Sequence, residues 1–202
     1  MKRIFIAIMT CLPLMAMAQG NTWEMPEANE VGVSNPDQKY LVGAVPVIDG
    51  KVTFTTSIQA PGKSASEVYD ILLKEMTKMT KEANQFEQSK ISLSDRSKGE
   101  IGGYYQEWLV FKNKPLVLDR TRLMFNLIVK CSDGKADVTM TRIYYIYDEE
   151  RNPTTMKAEE CITDEYGLKK NQKKLSRVYG KFRKKTIDRK DYIFNKFERL
   201  LK

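Results

Sequence analysis

The chain has 202 residues, of which 42% are hydrophobic and 30% are charged, with a formal net charge of +8 at pH 7. This composition is typical of a globular chain that is long enough to bury a core, not of a disordered one. The sequence contains no histidine, which excludes Ser-His-Asp and Cys-His nucleophilic systems, histidine-ligated zinc sites and a histidine proton shuttle. Hydrolysis by carboxylates and calcium binding by oxygen ligands are not excluded.

The first 18 residues predict export. Residues 2–3 are basic, residues 4–14 are almost wholly apolar, and residues 16–18 form an Ala-Met-Ala cleavage site before Gln19. This order is typical of a cleaved secretory signal peptide, and lipidation at Cys11 is the alternative. The apolar run is shorter than the roughly 20 residues of a transmembrane helix. We therefore expect a mature chain without a transmembrane segment, in the periplasm, at the outer membrane or outside the cell.

Residues 19–39 are polar and acidic, which predicts an extended or poorly ordered leader before a single domain at residues 40–202. The Asp-Gly pair at residues 49–50 indicates a turn. A strand follows this turn, because apolar residues alternate with threonine and serine over residues 52–58.

The sequence from Ser64 to Glu67 is a capping box, which predicts a helix that begins there and ends near Ala83 and Asn84. Alternating patterns then predict four strands in an antiparallel meander, at residues 90–95, 101–111, 118–131 and 136–147. On the third of these, one face carries Leu123, Phe125, Leu127 and Val129. On the fourth, one face carries Val138, Met140, Tyr144 and Ile146.

The pattern weakens after the fourth of these strands. Residues 158–168 predict a short helix that begins near Thr163 or Asp164. The last element is a helix with Asp188 as its N-cap. Its apolar stripe consists of Ile193, Phe194, Phe197, Leu200 and Leu201.

The order strand, helix, four strands, helix predicts an α+β domain. Each helix needs an apolar surface for its stripe, so we expect both helices on one face of a curved antiparallel sheet. This arrangement brings Leu72 and Met76 of the first helix against Phe125 and Leu127 of the sheet. Cys131 and Cys161 could form a disulfide in an oxidising compartment, but we favour two separate buried thiols.

Several short segments resemble one family. They are residues 40–46, 49–52, 61–64, 68–70, 98–101, 116–122, 162–166 and 180–183. In this order, over nearly all of residues 40–202, they resemble a secreted Bacteroidetes family of unknown function described as having a TATA-binding-protein-like (TBP-like) fold. The resemblance implies a β-α-β4-α domain and no particular reaction. Because fold does not imply function, we do not expect nucleic-acid binding from this likeness.

Aromatic side chains concentrate on the second and fourth strands of the meander. Alternation places Tyr104 and Trp108 on one face of their strand, and Tyr145 and Tyr147 on one face of theirs. Exposed aromatic residues on these faces would bind a sugar or a peptide, and the candidates are Tyr104, Trp108, Tyr145 and Tyr147. The alternative, which we favour, is packing between neighbouring strands.

Two charged segments are further candidates. Acidic residues at 148–150 and 159–165 could form a calcium site or a hydrolytic carboxylate pair, although a solvated loop and helix start is the simpler interpretation. Residues 168–202 hold 14 basic and three acidic residues. This segment could bind a polyanion through Lys173, Lys174, Lys184 and Lys185. We favour pairing with the rest of the domain, where residues 19–167 hold 18 basic and 23 acidic residues.

These observations favour an exported, non-catalytic binding or interaction module of the cell envelope with an unidentified ligand. An envelope protein or an anionic glycan is the expected class of partner, and we predict no cofactor, no metal and no catalytic residue. One alternative is a histidine-free, carboxylate-dependent envelope hydrolase. Another is an electrostatic adaptor that binds anionic glycans or a membrane surface through the basic C-terminal segment.

Overall fold

The computed structural model describes residues 36–202, so the predicted signal peptide and all but the end of the predicted leader lie outside the described residues. The strands are β1 (Val47–Ile48), β2 (Lys51–Val52), β3 (Phe54–Gln59), β4 (Lys90–Asp95), β5 (Glu100–Lys114), β6 (Val117–Ser132), β7 (Lys135–Tyr147) and β8 (Thr154–Lys157). The helices are α1 (Ala65–Met79), α2 (Asp164–Gly167) and α3 (Gly180–Leu201), with short 3-10 helices at Gln38–Tyr40 and Ala158–Glu160.

Six strands form one antiparallel sheet in the order β3-β7-β6-β5-β4. The sixth, β8, lies on the same side of β7 as β3 does. There β3 pairs with residues 135–140 and β8 pairs with residues 144–147. Both long helices pack on one face of this sheet. The predicted α+β architecture is therefore confirmed.

The first helix begins as predicted and ends earlier. The Ser64 hydroxyl accepts a hydrogen bond from the Glu67 amide, and the Glu67 carboxylate accepts one from the Ser64 amide. The helix ends at Met79, not near Ala83 and Asn84. The chain leaves it through tight turns so that the carbonyl of Asn84 accepts a hydrogen bond from Trp108 of β5, at 3.0 Å.

The predicted contact between the first helix and the sheet forms the centre of the core. Leu72 and Met76 from α1 are fully buried, and so are Phe125 and Leu127 from β6. Burial of large apolar side chains is the main favourable term in folding. The alternating pattern therefore predicted part of the main hydrophobic core correctly.

The predicted face of β7 is wrong in its second half. A bulge at Arg142 and Ile143 sets two residues of β7 opposite one residue of β6, and Arg142 has a positive φ of 53°. Val138 is buried before the bulge, whereas Tyr145 is buried after it. A bulge of this kind shifts the alternation by one residue. Tyr144 and Ile146 therefore lie on the opposite face from Val138 and Met140.

The last helix begins eight residues before the predicted N-cap, so Asp188 lies inside α3. The sequence shows no continuous apolar stripe over the first half of α3, because two arginines, Arg183 and Arg189, occupy fully buried positions there. The predicted short helix is α2, and Thr163 is at its N-cap position. Strand β8 was not predicted.

Both cysteines of the described chain, Cys131 and Cys161, are free and buried, as favoured from the sequence. Among residues 36–202, no helix combines the length and the apolar character that crossing a membrane requires.

Candidate functional site

A groove of about 550 Å³ runs between β3 and α3. Its strand side consists of the whole of β3, and Ala44 and Pro46 close one end. Its helix side consists of Lys190, Asp191, Phe194, Asn195, Glu198 and Lys202. The groove exists because α3 covers the inner face of β3 but does not cover the strand's outer edge.

Within residues 36–202, several backbone groups of β3 face this groove without a hydrogen-bond partner. β3 pairs with β7, and no other described strand lies against its second edge. The Ala60 amide donates to Gly134 on the β7 side at 2.7 Å, whereas the Thr53 amide donates to Pro46 at 3.1 Å. Residues in an antiparallel strand alternate between hydrogen-bonding to one neighbour and pointing away from it. The intervening odd residues, Thr55, Ser57 and Gln59, therefore turn their amides and carbonyls outward.

The two edges of the sheet differ in their protection. Edge strands commonly carry charges, prolines or bulges that prevent another strand from pairing with them. The opposite edge strand, β4, begins with Lys90, ends with Asp95 and has a register shift between Ile91 and Leu93. β3 has no charged residue, no proline and no register shift. Its edge is therefore suited to pairing with an additional strand.

The walls of the groove combine an apolar floor with a charged rim. Phe54 and Ile58 are buried at its base, and Phe194 of α3 is half-buried beside them. The Lys190 ammonium lies 5.6 Å from the ring centroid of Phe54 and 5.8 Å from that of Phe194, within cation–π distance. Lys190 also pairs with Asp191. The floor suits an apolar side chain, and the rim is nearly neutral.

The four predicted ligand-facing aromatic residues do not form one surface. Tyr104 and Trp108 lie half-buried on the outer face, away from the helices, and Tyr145 and Tyr147 lie on the inner face. The Tyr145 side chain is fully buried, and burial raises the pKa of its hydroxyl well above its usual value. Tyr147 is half-buried against Phe182. The interpretation of Tyr145 as ligand-facing is therefore wrong, because it belongs to the core.

On the outer face, arginines cover the aromatic rings. The Arg120 guanidinium lies 3.7 Å from the ring centroid of Trp108, and that of Arg122 lies 3.8 Å from the ring centroid of Phe86. Phe86 in turn contacts Trp108, with their centroids 4.9 Å apart. Trp108 thus packs against Arg120 of the neighbouring strand β6 and against Phe86, as favoured from the sequence, and it lacks an open face for a sugar.

The four candidate lysines divide into two groups. Lys173 and Lys174 are exposed in the loop that precedes α3, whereas Lys184 and Lys185 are half-buried on α3. Lys184 pairs with Asp37 at 3.2 Å. Other basic residues of α3 also pair with the body of the domain: Lys181 with Asp119, Arg183 with Asp164, Arg189 with Glu107, and Lys196 with Glu75.

The predicted acidic segments are also paired. Glu149 binds Arg122, Glu150 binds Arg120, Asp148 binds Arg151, and Asp164 binds Arg183. Glu159 accepts a hydrogen bond from the Val52 amide at 2.6 Å. Within residues 36–202 no group of three or more acidic or cysteine side chains is placed to hold a metal ion. This pairing is the behaviour of structural carboxylates, not of a hydrolytic pair.

One buried cluster of charged side chains was not predicted from the sequence. Glu107 of β5 and Arg189 of α3 are both fully buried and form an ion pair at 2.7 Å. Glu82 and Gln85 extend the cluster. Burial raises the pKa of Glu107 relative to an exposed glutamate, and the adjacent guanidinium opposes that rise. The sequence does not reveal this pair, because Glu107 and Arg189 are 82 residues apart in the chain.

The fold and the sequence agree on the family. The family model described as "Domain of unknown function (DUF4468) with TBP-like fold" matches residues 54–146, from β3 to β7. A crystal structure of a DUF4468 family protein from Bacteroides ovatus is 40% identical, and the match covers 83% of this chain and 95% of that one, with a TM-score of 0.77. The chain belongs to the DUF4468 family. The resemblance found in the sequence is thereby confirmed.

A second structure supports the fold alone. A TBP-like protein from Parabacteroides distasonis is 17% identical, and the match covers 78% of this chain and 96% of that one, with a TM-score of 0.61. No curated protein sequence matches the chain. Because the DUF4468 family has no assigned function, any activity has to be argued from the site.

Proposed function

We propose that this DUF4468 protein is an exported, non-catalytic binding module of the cell envelope that captures an extended polypeptide segment. The segment pairs with the free edge of β3 and lies in the groove beside α3. The observation that carries this proposal is the unprotected edge of β3, whose three outward backbone positions face a preformed groove. Strand addition of this kind is a recurrent mode of peptide recognition.

The groove also determines which peptides fit. Main-chain hydrogen bonds to Thr55, Ser57 and Gln59 supply affinity without regard to sequence, whereas alternate side chains enter pockets and supply specificity. Side chains that point toward the helices meet Phe194 above the buried floor of the groove. We therefore expect apolar residues at every second position of the bound segment.

The ion pairs of the acidic segments argue against the hydrolase alternative. Hydrolysis needs a carboxylate that can protonate a leaving group and a second one that can act as a base or a nucleophile. Asp148, Glu149 and Glu150 are each held by an arginine, and Asp164 is held by Arg183. A binding module needs no such groups, so the proposed function is consistent with the absence of histidine.

Export is tested by sequencing the N-terminus of the protein recovered from its native cells. The expected first residue is Gln19, because the small-residue site ends at Ala18. An intact Met1 in the recovered protein, or a lipid attached to Cys11, would contradict this part of the proposal.

Peptide capture is tested with a phage-displayed library of random peptides and two matched variants. Ser57→Pro removes an outward amide without removing a main-chain hydrogen bond to β7, and edge strands tolerate proline at such positions. It also removes the hydrogen bond between the Ser57 hydroxyl and Asp137 of β7. It should reduce the affinity of the selected peptides at least tenfold, and Phe194→Ala should change which side chains are selected. Ile128→Ser alters an exposed residue of β6 and should leave binding unchanged.

Circular dichroism and the melting temperature must show that each variant is folded. If no peptide is selected, or if Ser57→Pro binds as well as the original protein, the β3 edge is not a binding site.

A further inference from the structure

The hairpin that joins β5 to β6 ends in four consecutive exposed apolar residues, Pro115, Leu116, Val117 and Leu118. Leu116 is 105% exposed, Leu118 is 55% exposed and Val117 is 43% exposed. The two strands pair as far as Lys114 and Val117, and every residue from 112 to 118 is exposed. This apolar tip therefore projects beyond the packed domain. Runs of exposed apolar residues are unusual on a protein surface unless they bind something.

The backbone conformation of Leu116 also indicates that the tip binds something. Its φ is +64°, a left-handed conformation that glycine or asparagine adopts with less strain than leucine does. The position follows Pro115 in a two-residue turn, where a glycine would normally stand. Folding stability explains neither the strained backbone nor the exposed side chain. A strained residue of this kind is a reason to look for a function.

The charges around the tip leave a positive collar. Lys112 and Lys114 stand two residues apart in β5 and form no ion pair with any residue between 36 and 202. The nearby acidic residues are neutralised, because Asp119 binds Lys181, Glu149 binds Arg122 and Glu150 binds Arg120. The tip thus presents an apolar cap above two uncompensated ammonium groups.

We propose that this tip inserts into the headgroup region of an anionic lipid bilayer. Leu116, Val117 and Leu118 would enter the boundary between the headgroups and the acyl chains, and Lys112 and Lys114 would contact anionic headgroups. A protein partner fits less well. A stable protein interface buries about 800 Å² on each side, which three side chains at the end of a hairpin do not supply. The tip shares no residue with the β3 groove, so this inference stands independently of peptide capture.

The test measures whether the protein, purified in the form that the expressing cell produces, floats with lipid vesicles. One set of vesicles contains phosphatidylglycerol and phosphatidylethanolamine, and the other contains phosphatidylcholine alone. We expect binding to the anionic vesicles that weakens as salt is added, because charged contacts to a surface are screened. Binding to phosphatidylcholine vesicles should be at least tenfold weaker.

Two variants and one control separate the apolar and charged contributions. Leu116→Gly removes the apolar side chain and relieves the positive φ, so it should reduce vesicle binding at least tenfold while the melting temperature stays equal or rises. Replacing Lys112 and Lys114 with glutamine should abolish the preference for anionic vesicles. Val178 lies outside the hairpin and is 62% exposed. The control variant Val178→Ser should bind vesicles as the original protein does.

Three outcomes would overturn the proposal. One is that the original protein does not float with anionic vesicles, and another is that Leu116→Gly binds them undiminished. The third is a dimer that Leu116→Gly dissociates, which would assign the tip to a second copy of the chain.

Discussion

The carboxylate of Glu107 accepts two hydrogen bonds from the guanidinium of Arg189, one from Nε and one from Nη2, each 2.7 Å long. Both side chains are fully buried, and the pair ties β5, the strand next to the edge strand β4, to the middle of α3. Arg189 also donates to Glu82, which follows α1, at 3.1 Å. One arginine therefore links α3, which forms one wall of the groove, to both the sheet and the turn that follows α1.

Breaking this pair should destabilise the protein strongly. Arg189→Met leaves the Glu107 carboxylate buried without its counter-charge, and the expected loss is about 3–5 kcal/mol of unfolding free energy. The double variant Glu107→Leu with Arg189→Met removes both charges and should be more stable than the single variant. Urea denaturation measures both values.

A surface pair supplies the control. Arg96 pairs with Asp70, and both side chains are more than half exposed, so Arg96→Met should change stability little. If Arg189→Met were no more harmful than Arg96→Met, the buried pair would not hold α3 in place.

The hydrophobic contact between α1 and the sheet gives a second prediction. Leu72→Ala opens a cavity in a fully buried site and should cost about 2–5 kcal/mol. Leu200→Ala is the matched control, because Leu200 lies in α3 and is 40% exposed. It should stay within about 0.5 kcal/mol of the original protein. Equal losses for the two variants would mean that Leu72 is not part of the central core.

The strands of the meander were predictable because each has an alternating pattern and a turn signal at its end. The turn between β5 and β6 contains Pro115, and the turn between β6 and β7 contains Asp133 and Gly134. The bulge at Arg142 and Ile143 was not predictable, since nothing in the local sequence distinguishes a shifted alternation from a continuous one. The first half of α3 was missed because burying Arg183 and Arg189 depends on partners that are distant in the chain.

The candidate site was less predictable than the fold. A free edge depends on the order of strands in the sheet, and the order places β3 outermost although it comes early in the chain. The groove then requires α3, which is over 120 residues away in sequence. The aromatic candidates show the same limit: alternation places Tyr104 with Trp108 and Tyr145 with Tyr147, but only the folded sheet shows that the two pairs lie on opposite faces.

The buried thiols give a prediction about pH. Burial raises the pKa of Cys131 to about 11. Burial also raises the pKa of Cys161 to about 12, and nearby Glu159 contributes to that rise. The thiolate is the reactive form, so iodoacetamide at pH 8 should label both cysteines only after denaturation. Mass spectrometry measures the extent of labelling, and rapid labelling of the folded protein, or a disulfide between the two, would contradict this placement.

The same shifts predict the direction of alkaline instability. The folded protein holds the two thiol protons more tightly than the unfolded chain does, because the folded pKa values lie above the ordinary value of 9.0. Their contribution to stability is therefore complete below about pH 9 and is lost as the pH rises toward 11 and 12. The urea midpoint should fall over that range. Replacing both cysteines with alanine should make the fall smaller.

Two hypotheses concern the basic C-terminal segment. In one, its lysines bind a polyanion, and in the other they form ion pairs within their own domain. Lys181, Lys184 and Lys196 each bind an acidic residue from another part of the domain. Lys169, Lys170, Lys173 and Lys174 are exposed in the loop before α3, but four charges release fewer counterions on binding a polyanion than they would together with the paired lysines of α3. We therefore expect the protein to leave a heparin column at low ionic strength.

The variant that replaces Lys173, Lys174, Lys184 and Lys185 with glutamine should elute almost where the original protein does. Its stability should fall only modestly, because partly exposed ion pairs contribute about 0–1 kcal/mol each. Retention of the original protein to moderate salt, together with early release of the variant, would instead favour the adaptor. In that case the slope of affinity against salt would report how many of these lysines contact the polyanion, because each neutralised charge contributes to it.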